Sequence, residues 1–364
     1  MSKNSSTKEI ISFENLKKEL THTGELPFHF KKKVFSEKIT KWYQENQRPL
    51  PWRKIFKKTK DPYHVWVSEI MLQQTVIAAV IPKYLSFIEK YPSAESLAKA
   101  SEAEIQKSVA GLGYYRRFRM MHEASKEVSK SRNFPQTYKE IKELKGIGEY
   151  TASAISSICF GEAEAVVDGN VERVMCRVFD LRLPPNLPAL KKVFKKSLNT
   201  LICHESPGDF NQGIMELGQL ICTPTNPSCD RCPIKNSCKA NKNKTTDLAP
   251  GKKIKKDFVE LTTHVFIYKK NNRILLVNRS ANSKFLPGLE GFEISLSENK
   301  KLKPSSTFKH TITNHKLTNK VYLVSAPKNF SSKGRWVELE NCDAEITTSF
   351  DKKAFNSIKK SIFI

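Results

Sequence analysis

The chain has 364 residues, more than one ordinary core accommodates, and its 39% hydrophobic and 10% aromatic content predicts two or three packed domains while excluding wholesale disorder. Its 62 Lys and Arg against 37 Asp and Glu leave a net charge of +25, the balance of a protein that meets a polyanion. No apolar run approaches a bilayer's width and the first residues carry no apolar signal stretch, which points away from membranes. The expectation is a cytoplasmic protein (nucleoid-associated if bacterial) that binds nucleic acid.

Residues 1–33 are polar, lysine-rich and weakly periodic, and read as a largely disordered basic N-terminal arm. From 34 to 240 the pattern is helical. Val65, Trp66, Ile70, Val76, Ile77, Val80 and Ile81 recur at spacings near three and four. Further helices are predicted over 95–109, 116–130, 150–160, 170–179, 189–201 and 210–220, punctuated by Gly and Pro. Residues 241–257, with six lysines and Pro250-Gly251, read as an exposed basic linker. Beyond it, over 258–364, alternation predicts strands at 263–268, 274–277, 320–324 and 335–339, then a closing helix near 351–361.

Three patterns carry chemistry. Cys222, Cys229, Cys232 and Cys238 form C-x6-C-x2-C-x5-C, which can close on one tetrahedral zinc or on the corners of one cubane iron–sulfur cluster. The other four cysteines stand apart and read as small buried residues. Gly146-Ile-Gly148 lies between two helical patterns, either as a packing turn or as a turn that leaves backbone N–H groups free for a phosphate, with Lys145 adding charge. Glu69 sits in an otherwise apolar stretch, either facing solvent or desolvated and able to donate a proton near neutrality. Asp168 precedes a helix, where its plainest role is an N-cap.

Seven motifs occur in order: Arg48-Pro-Leu-Pro-Trp-Arg53, Ser68-Glu-Ile-Met-Leu-Gln-Gln-Thr75, Gly111-Leu-Gly-Tyr-Tyr115, Gly146-Ile-Gly-Glu-Tyr-Thr151, Val167-Asp-Gly-Asn170, Phe210-Asn-Gln212 and the cysteine run. Together they resemble the MutY-type adenine DNA glycosylases of the helix-hairpin-helix (endonuclease III) superfamily, over roughly residues 34–345. The resemblance implies a multi-domain fold. An all-α helix-hairpin-helix domain with a [4Fe–4S] cluster on Cys222, Cys229, Cys232 and Cys238 is followed by an α+β Nudix-like domain that recognises 8-oxoguanine. It implies a monomer acting on double-stranded DNA that contains adenine opposite 8-oxoguanine or guanine. Adenine leaves the stack, its N-glycosidic bond is hydrolysed, and an abasic site remains.

The family pattern also distributes roles. Glu69, kept protonated, would donate to N7 of adenine, while ionised Asp168 would stabilise the sugar cation, with Tyr150 and Asn170 positioning both. Arg48, Leu50, Trp52, Arg53 and Gln212 would line the adenine pocket, and Gln74 and Tyr114 would wedge into the duplex. Gly146, Gly148 and Thr151 would grip the DNA backbone, and Lys145, which stands where relatives often have Pro, would strengthen nonspecific phosphate binding. Tyr150 stands where the endonuclease III glycosylase/lyases carry a nucleophilic Lys, which implies a monofunctional enzyme. In the second domain Ile312, Thr313 and Asn314 align with a Phe-Ser-His loop of relatives, keeping a hydroxyl and a donor but losing the ring; no Glu-rich Nudix hydrolase box is present. Two rival readings remain: a lyase-type enzyme, at odds with Tyr150, and a noncatalytic DNA-binding module, which leaves both carboxylates unexplained.

Overall fold

A computed structural model describes residues 24–131, 133–253, 257–298, 301–326 and 334–362. Residues 1–23 of the expected arm and 254–256 of the expected linker lie outside the described residues. The chain forms two compact units. The first comprises the described residues within 24–88, 93–98 and 123–253, and the second those within 89–92, 99–122 and 257–362.

The helices run α1 (Lys32–Asn46), α2 (Pro51–Thr59), α3 (Pro62–Leu72), α4 (Ile77–Lys90), α5 (Ala94–Lys99), α6 (Glu102–Ser108), α7 (Arg116–Ser131), α8 (Tyr138–Glu143), α9 (Glu149–Phe160), α10 (Gly169–Phe179), α11 (Pro188–Asn199), α12 (Pro207–Leu220) and α13 (Lys239–Lys242). The single helix expected over 95–109 is two, because Ser101 and Glu104 form a reciprocal capping box that starts a new helix. Phe35, Ile39, Val171, Met175, Phe194, Phe210, Ile214 and Leu217 share the first unit's core.

Two expectations from composition fail here for the same reason. Within the expected arm, Leu26 is buried and its N–H donates to Ser197 Oγ at 2.9 Å, while Phe28 and Phe30 pack against Phe179. Within the expected exposed linker, Ala249 is buried and Gly251 N–H donates to Leu183 O at 2.9 Å. In both, a few apolar or backbone groups anchor a lysine-rich segment whose charges stay in water.

Helix α3 is buried from Tyr63 through Met71. Asp61 Oδ1 accepts from Tyr63 N–H at 2.9 Å and Pro62 occupies the first turn, so the start is fixed and the helix is sheathed on all faces. That placement takes Glu69 out of water. Opposite it, α12 approaches the start of α10 so closely that a Cβ on Gly218 would stand 2.7 Å from Asn170 Cβ.

In the second unit the strands are β1 (Val259–Lys270), β2 (Arg273–Asn278), β3 (Glu290–Gly291), β4 (Glu293–Ser295), β5 (Ser306–Ile312), β6 (His315–Ser325) and β7 (Gly334–Glu338), followed by α14 (Cys342–Glu345) and α15 (Ser349–Ile362). The sheet order is β3-β2-β1-β6-β5, with β4 on β1 and β7 on β2. Strands β1 and β6 run parallel from Val259↔His315 to Lys269↔Ser325, and the other pairs are antiparallel. Phe350, Phe355 and Ile358 of α15 join Val265, Ile267, Ile274, Leu276 and Val321 in its core. Strand β5 was not anticipated, because its alternation of Phe308, His310 and Ile312 with exposed polar residues is a weak edge-strand signal.

Gly218→Ala is expected to lower stability by about 1–3 kcal/mol, as overpacking against backbone does. Urea denaturation of the variant beside the parent protein measures it.

Candidate active site

A cleft of about 660 Å³ in the first unit is lined by Arg48, Leu50, Trp52, Arg53, Glu69, Tyr150, Asp168, Asn170 and Gln212. These residues come from α2, α3, α9, α10, α12 and the loops before them, so the fold gathers onto one surface nine positions that span 165 residues of sequence. Leu50 and Trp52 are at once core and lining: Trp52 meets Tyr84 edge-on at 5.4 Å and is buried.

Glu69 is 7% exposed, and its Oε2 has no hydrogen-bond partner among the described residues. Burial raises its pKa from the ordinary carboxylate range to about 7, with the charge of Asp168 adding to the rise and a hydrogen bond with Tyr150 and the charge of Arg53 opposing it. The single Tyr150 hydroxyl proton has two acceptors in reach, Glu69 and, at 3.3 Å, Met215 Sδ, and burial first, then the two carboxylates, hold its phenol far above its usual range.

Asp168 does cap α10: its Oδ1 accepts from Asn170 N–H at 2.9 Å and Val171 N–H at 2.7 Å. Its Oδ2 accepts from Asn170 Nδ2 at 2.8 Å. The capping role and the cleft-lining position are therefore the same geometry, and three N–H donors suit an anion. Buried Asn211 fixes the approach to this cap, accepting from Val166 N–H at 3.0 Å and donating to Glu164 O at 2.8 Å.

Sequence reasoning missed Glu216. Its side chain is 1% exposed and accepts from Arg48 Nε at 3.0 Å and from Arg53 Nη1. Arg53 Nε donates to Gln212 Oε1 at 2.8 Å, and Arg48 Nη2 donates to Gln219 Oε1 at 2.6 Å. Glu216 lies one helical turn after Gln212, an i,i+4 spacing that could have flagged it.

Arg173 and Arg177 were missed as well. Arg173 donates to Asn170 Oδ1 at 3.0 Å, Gly218 O at 2.7 Å and Cys222 O at 2.9 Å. One turn on, buried Arg177 donates to the carbonyls of Thr223, Pro224, Thr246 and Ala249 and to Cys222 Sγ at 3.3 Å. Helix α10 thus carries Asp168 at one end and binds the cysteine loop along its length.

Cys222, Cys229, Cys232 and Cys238 line one small cavity with Arg177, Lys235 and Ile221. Among the described residues, no three His, Cys, Asp or Glu side chains close on a single ion. Four thiols around a shared space, with two cations and no carboxylate in the lining, fit a thiolate-ligated polynuclear cluster, whose net charge is negative and whose ligands sit at separate corners.

The residues expected at DNA divide. Gln74 and Tyr114 are exposed, and both hold left-handed backbone, φ 56° and 48°. Gly146 has φ 82°, and Gly148 starts α9 with no side-chain cap, leaving first-turn N–H groups open to an anion. Lys145 pairs with Glu123. The Thr151 side chain is buried, with its hydroxyl accepting from Gln73 Nε2 at 3.4 Å, which leaves its first-turn N–H as the group that could meet a phosphate. Thr313 and Asn314 form the exposed tip of the β5–β6 hairpin, whereas Ile312 packs against the second unit's core.

Glu69 also sets a test by stability. Its folded pKa, about 7, lies above the ordinary 4.5, so the folded state binds the extra proton. The penalty for ionising it is absent below the lower value, grows between the two, and is complete above the upper. Glu69→Gln is expected to gain on the order of 3 kcal/mol over the parent protein at about pH 8, shrinking below about 1 kcal/mol near pH 5. Denaturant unfolding of both proteins at the two pH values measures it.

The description "HhH-GPD superfamily base excision DNA repair protein" matches residues 67–198. Adenine DNA glycosylase of Homo sapiens is 41% identical over 214 residues, covering 57% of this chain and 39% of that protein. The chain thus matches under half the length of its mammalian relatives. Adenine DNA glycosylase of Buchnera aphidicola subsp. Baizongia pistaciae is 34% identical over 252 residues, 68% of this chain and 70% of that protein. Among solved structures, a thermostable thymine-DNA glycosylase aligns with a TM-score of 0.52 and 30% identity, over 58% of this chain and 97% of that one. Matched at 34% identity across 70% of the bacterial relative's length, this chain belongs to the adenine DNA glycosylase family.

Proposed function

We propose that the protein is a monofunctional DNA glycosylase that removes adenine mispaired with 8-oxoguanine or guanine, leaving an abasic site. One observation carries this: a buried carboxyl that still holds its proton near neutrality shares a cleft with a carboxylate fixed by three N–H donors. Glu69 would protonate N7 of the extruded base, so that the leaving group departs neutral. Asp168 would stabilise the positive sugar that remains, and Asn170 would hold that carboxylate in place. Arg48 and Arg53, aligned by Glu216, Gln212 and Gln219, present polar edges to the base.

Tyr150 has no amine, so no Schiff base forms at that position and the backbone stays intact. The cysteine loop would hold a [4Fe–4S] cluster through Cys222, Cys229, Cys232 and Cys238, whose contribution is a rigid, electron-rich frame. The strand-rich unit is read as Nudix-like, with Thr313 and Asn314 on its exposed hairpin meeting the base opposite adenine. Because Ile312 packs inward, that hairpin offers hydrogen bonds and no apolar wedge.

Single-turnover excision on labelled duplexes with adenine opposite 8-oxoguanine, guanine or cytosine tests the reading. Glu69→Gln should slow excision by about 10²- to 10⁴-fold, and the parent rate should fall as pH rises through about 7, where the acid loses its proton. Full activity in Glu69→Gln, or borohydride trapping of a stoichiometric adduct, would overturn the assignment. Asp168→Asn keeps one of the best capping residues, so stability should stay within about 1 kcal/mol of the parent's. Its excision should nonetheless drop by about 10²-fold or more, as expected when a fixed charge is removed from a developing cation.

A further inference from the structure

The turn at 111–115 is unusual in its backbone. Gly111, Gly113 and Tyr114 all have positive φ, at 91°, 66° and 48°. For Tyr114 this is a conformation that a side chain disfavours, so something outside the residue must hold it. The residue is 54% exposed, so its direction is set by the turn beneath it.

Tyr115, the next residue, is 8% exposed. Its hydroxyl accepts from Gly111 N–H at 3.1 Å, closing the turn across its mouth, and donates to Thr347 O at 2.9 Å. Arg117 Nη2 adds a second clasp to Leu112 O at 3.2 Å. The carbonyl that receives the Tyr115 proton belongs to a firmly held segment. Gln106 Nε2 donates to Thr347 Oγ1 at 2.7 Å. The neighbouring Thr348 hydroxyl meets Asp351, whose carboxylate is buried against Arg279 and accepts from Phe292 N–H at 3.0 Å. One hydroxyl therefore joins a strained, exposed turn to the buried polar anchor beneath the second unit's last helix.

We infer that Tyr115 is a positioning residue: by bridging Gly111 to Thr347 it makes the strand-rich unit the support that fixes how Tyr114 is presented to a duplex. The inference rests on the reading of Tyr114 as a duplex wedge. It goes further by giving the second unit a part in base extrusion besides reading the opposite base. With the bridge gone, the turn can relax out of its left-handed conformation and the wedge loses its fixed aim.

The test is a double-mutant cycle on the full-length protein, with duplex affinity read by anisotropy on a mispair carrying an uncleavable adenine analogue. Tyr115→Phe keeps the ring and removes the bridge. It removes two hydrogen bonds and should weaken binding by about three- to ten-fold, since only part of their worth passes to the duplex, with a smaller change in the excision rate at saturating enzyme. In a Tyr114→Ala background the same substitution should change affinity by less than about two-fold, because its effect passes through the wedge. Gln106→Leu loosens Thr347 without touching the turn and should give a milder loss that also vanishes in that background, which keeps the test open if Tyr115→Phe folds poorly. If Tyr114→Ala alone leaves affinity intact, the wedge reading fails and the proposal with it. If Tyr114→Ala weakens binding but the Tyr115→Phe effect is absent or persists undiminished in the double variant, only the proposal fails.

Discussion

The site depends on keeping one carboxyl out of water. Helix α3 is apolar or small at nearly every turn and buried from Tyr63 to Met71, so the acid at position 69 has no route to bulk solvent except the cleft. Desolvation is the largest influence on its proton, and the nearby Asp168 charge acts in the same direction. Had Glu69 been on an amphipathic helix with a wet face, it would be an ordinary surface carboxylate without a proton to give at neutral pH.

The cations in the cleft work against that arrangement, which gives Glu216 its importance. Arg53 favours ionised Glu69, and two unpaired guanidiniums would favour it more. Glu216 accepts from both Arg48 and Arg53 in a nearly sealed position, so much of their field closes on a neighbouring anion. The pull of Arg53 on the Glu69 proton is thereby partly offset. Gly218 serves the opposite wall: the missing side chain lets α12 approach Asn170, and Arg173 spans the remaining gap to the Cys222 carbonyl.

How much of this could be read beforehand depends on the range of each interaction. The helices of the first unit and the main strands of the second were legible as periodicity, and the cysteine run and the two carboxylates stood out as residue types in unexpected company. Glu216, Arg173 and Arg177 did not, because a charged residue on a helix is by default a solvated one, and only the tertiary fold reveals that Glu216 and Arg177 are buried and Arg173 half-buried. The lysine-rich ends of the first unit misled for a related reason. Composition averages over a window, whereas Leu26 and Ala249 anchor their segments singly. Thr151 shows the converse: a motif side chain can be structural although its neighbour Tyr150 faces the cleft.

The same accounting separates a catalyst from a binder. A protein that only gripped DNA would need the basic surface, the open N–H groups at Gly148 and exposed tips such as Gln74 and Tyr114, and would gain nothing by burying an acid with an oxygen left unpartnered. Burying that carboxyl costs stability in the resting protein. Asp168 adds to the argument, because an N-cap needs no cleft and most caps have none. That the cap of α10 opens onto the cavity lined by Glu69, and that Asn170 and Asn211 both fix its approach, points to a fold organised around two carboxyl groups that share one cleft.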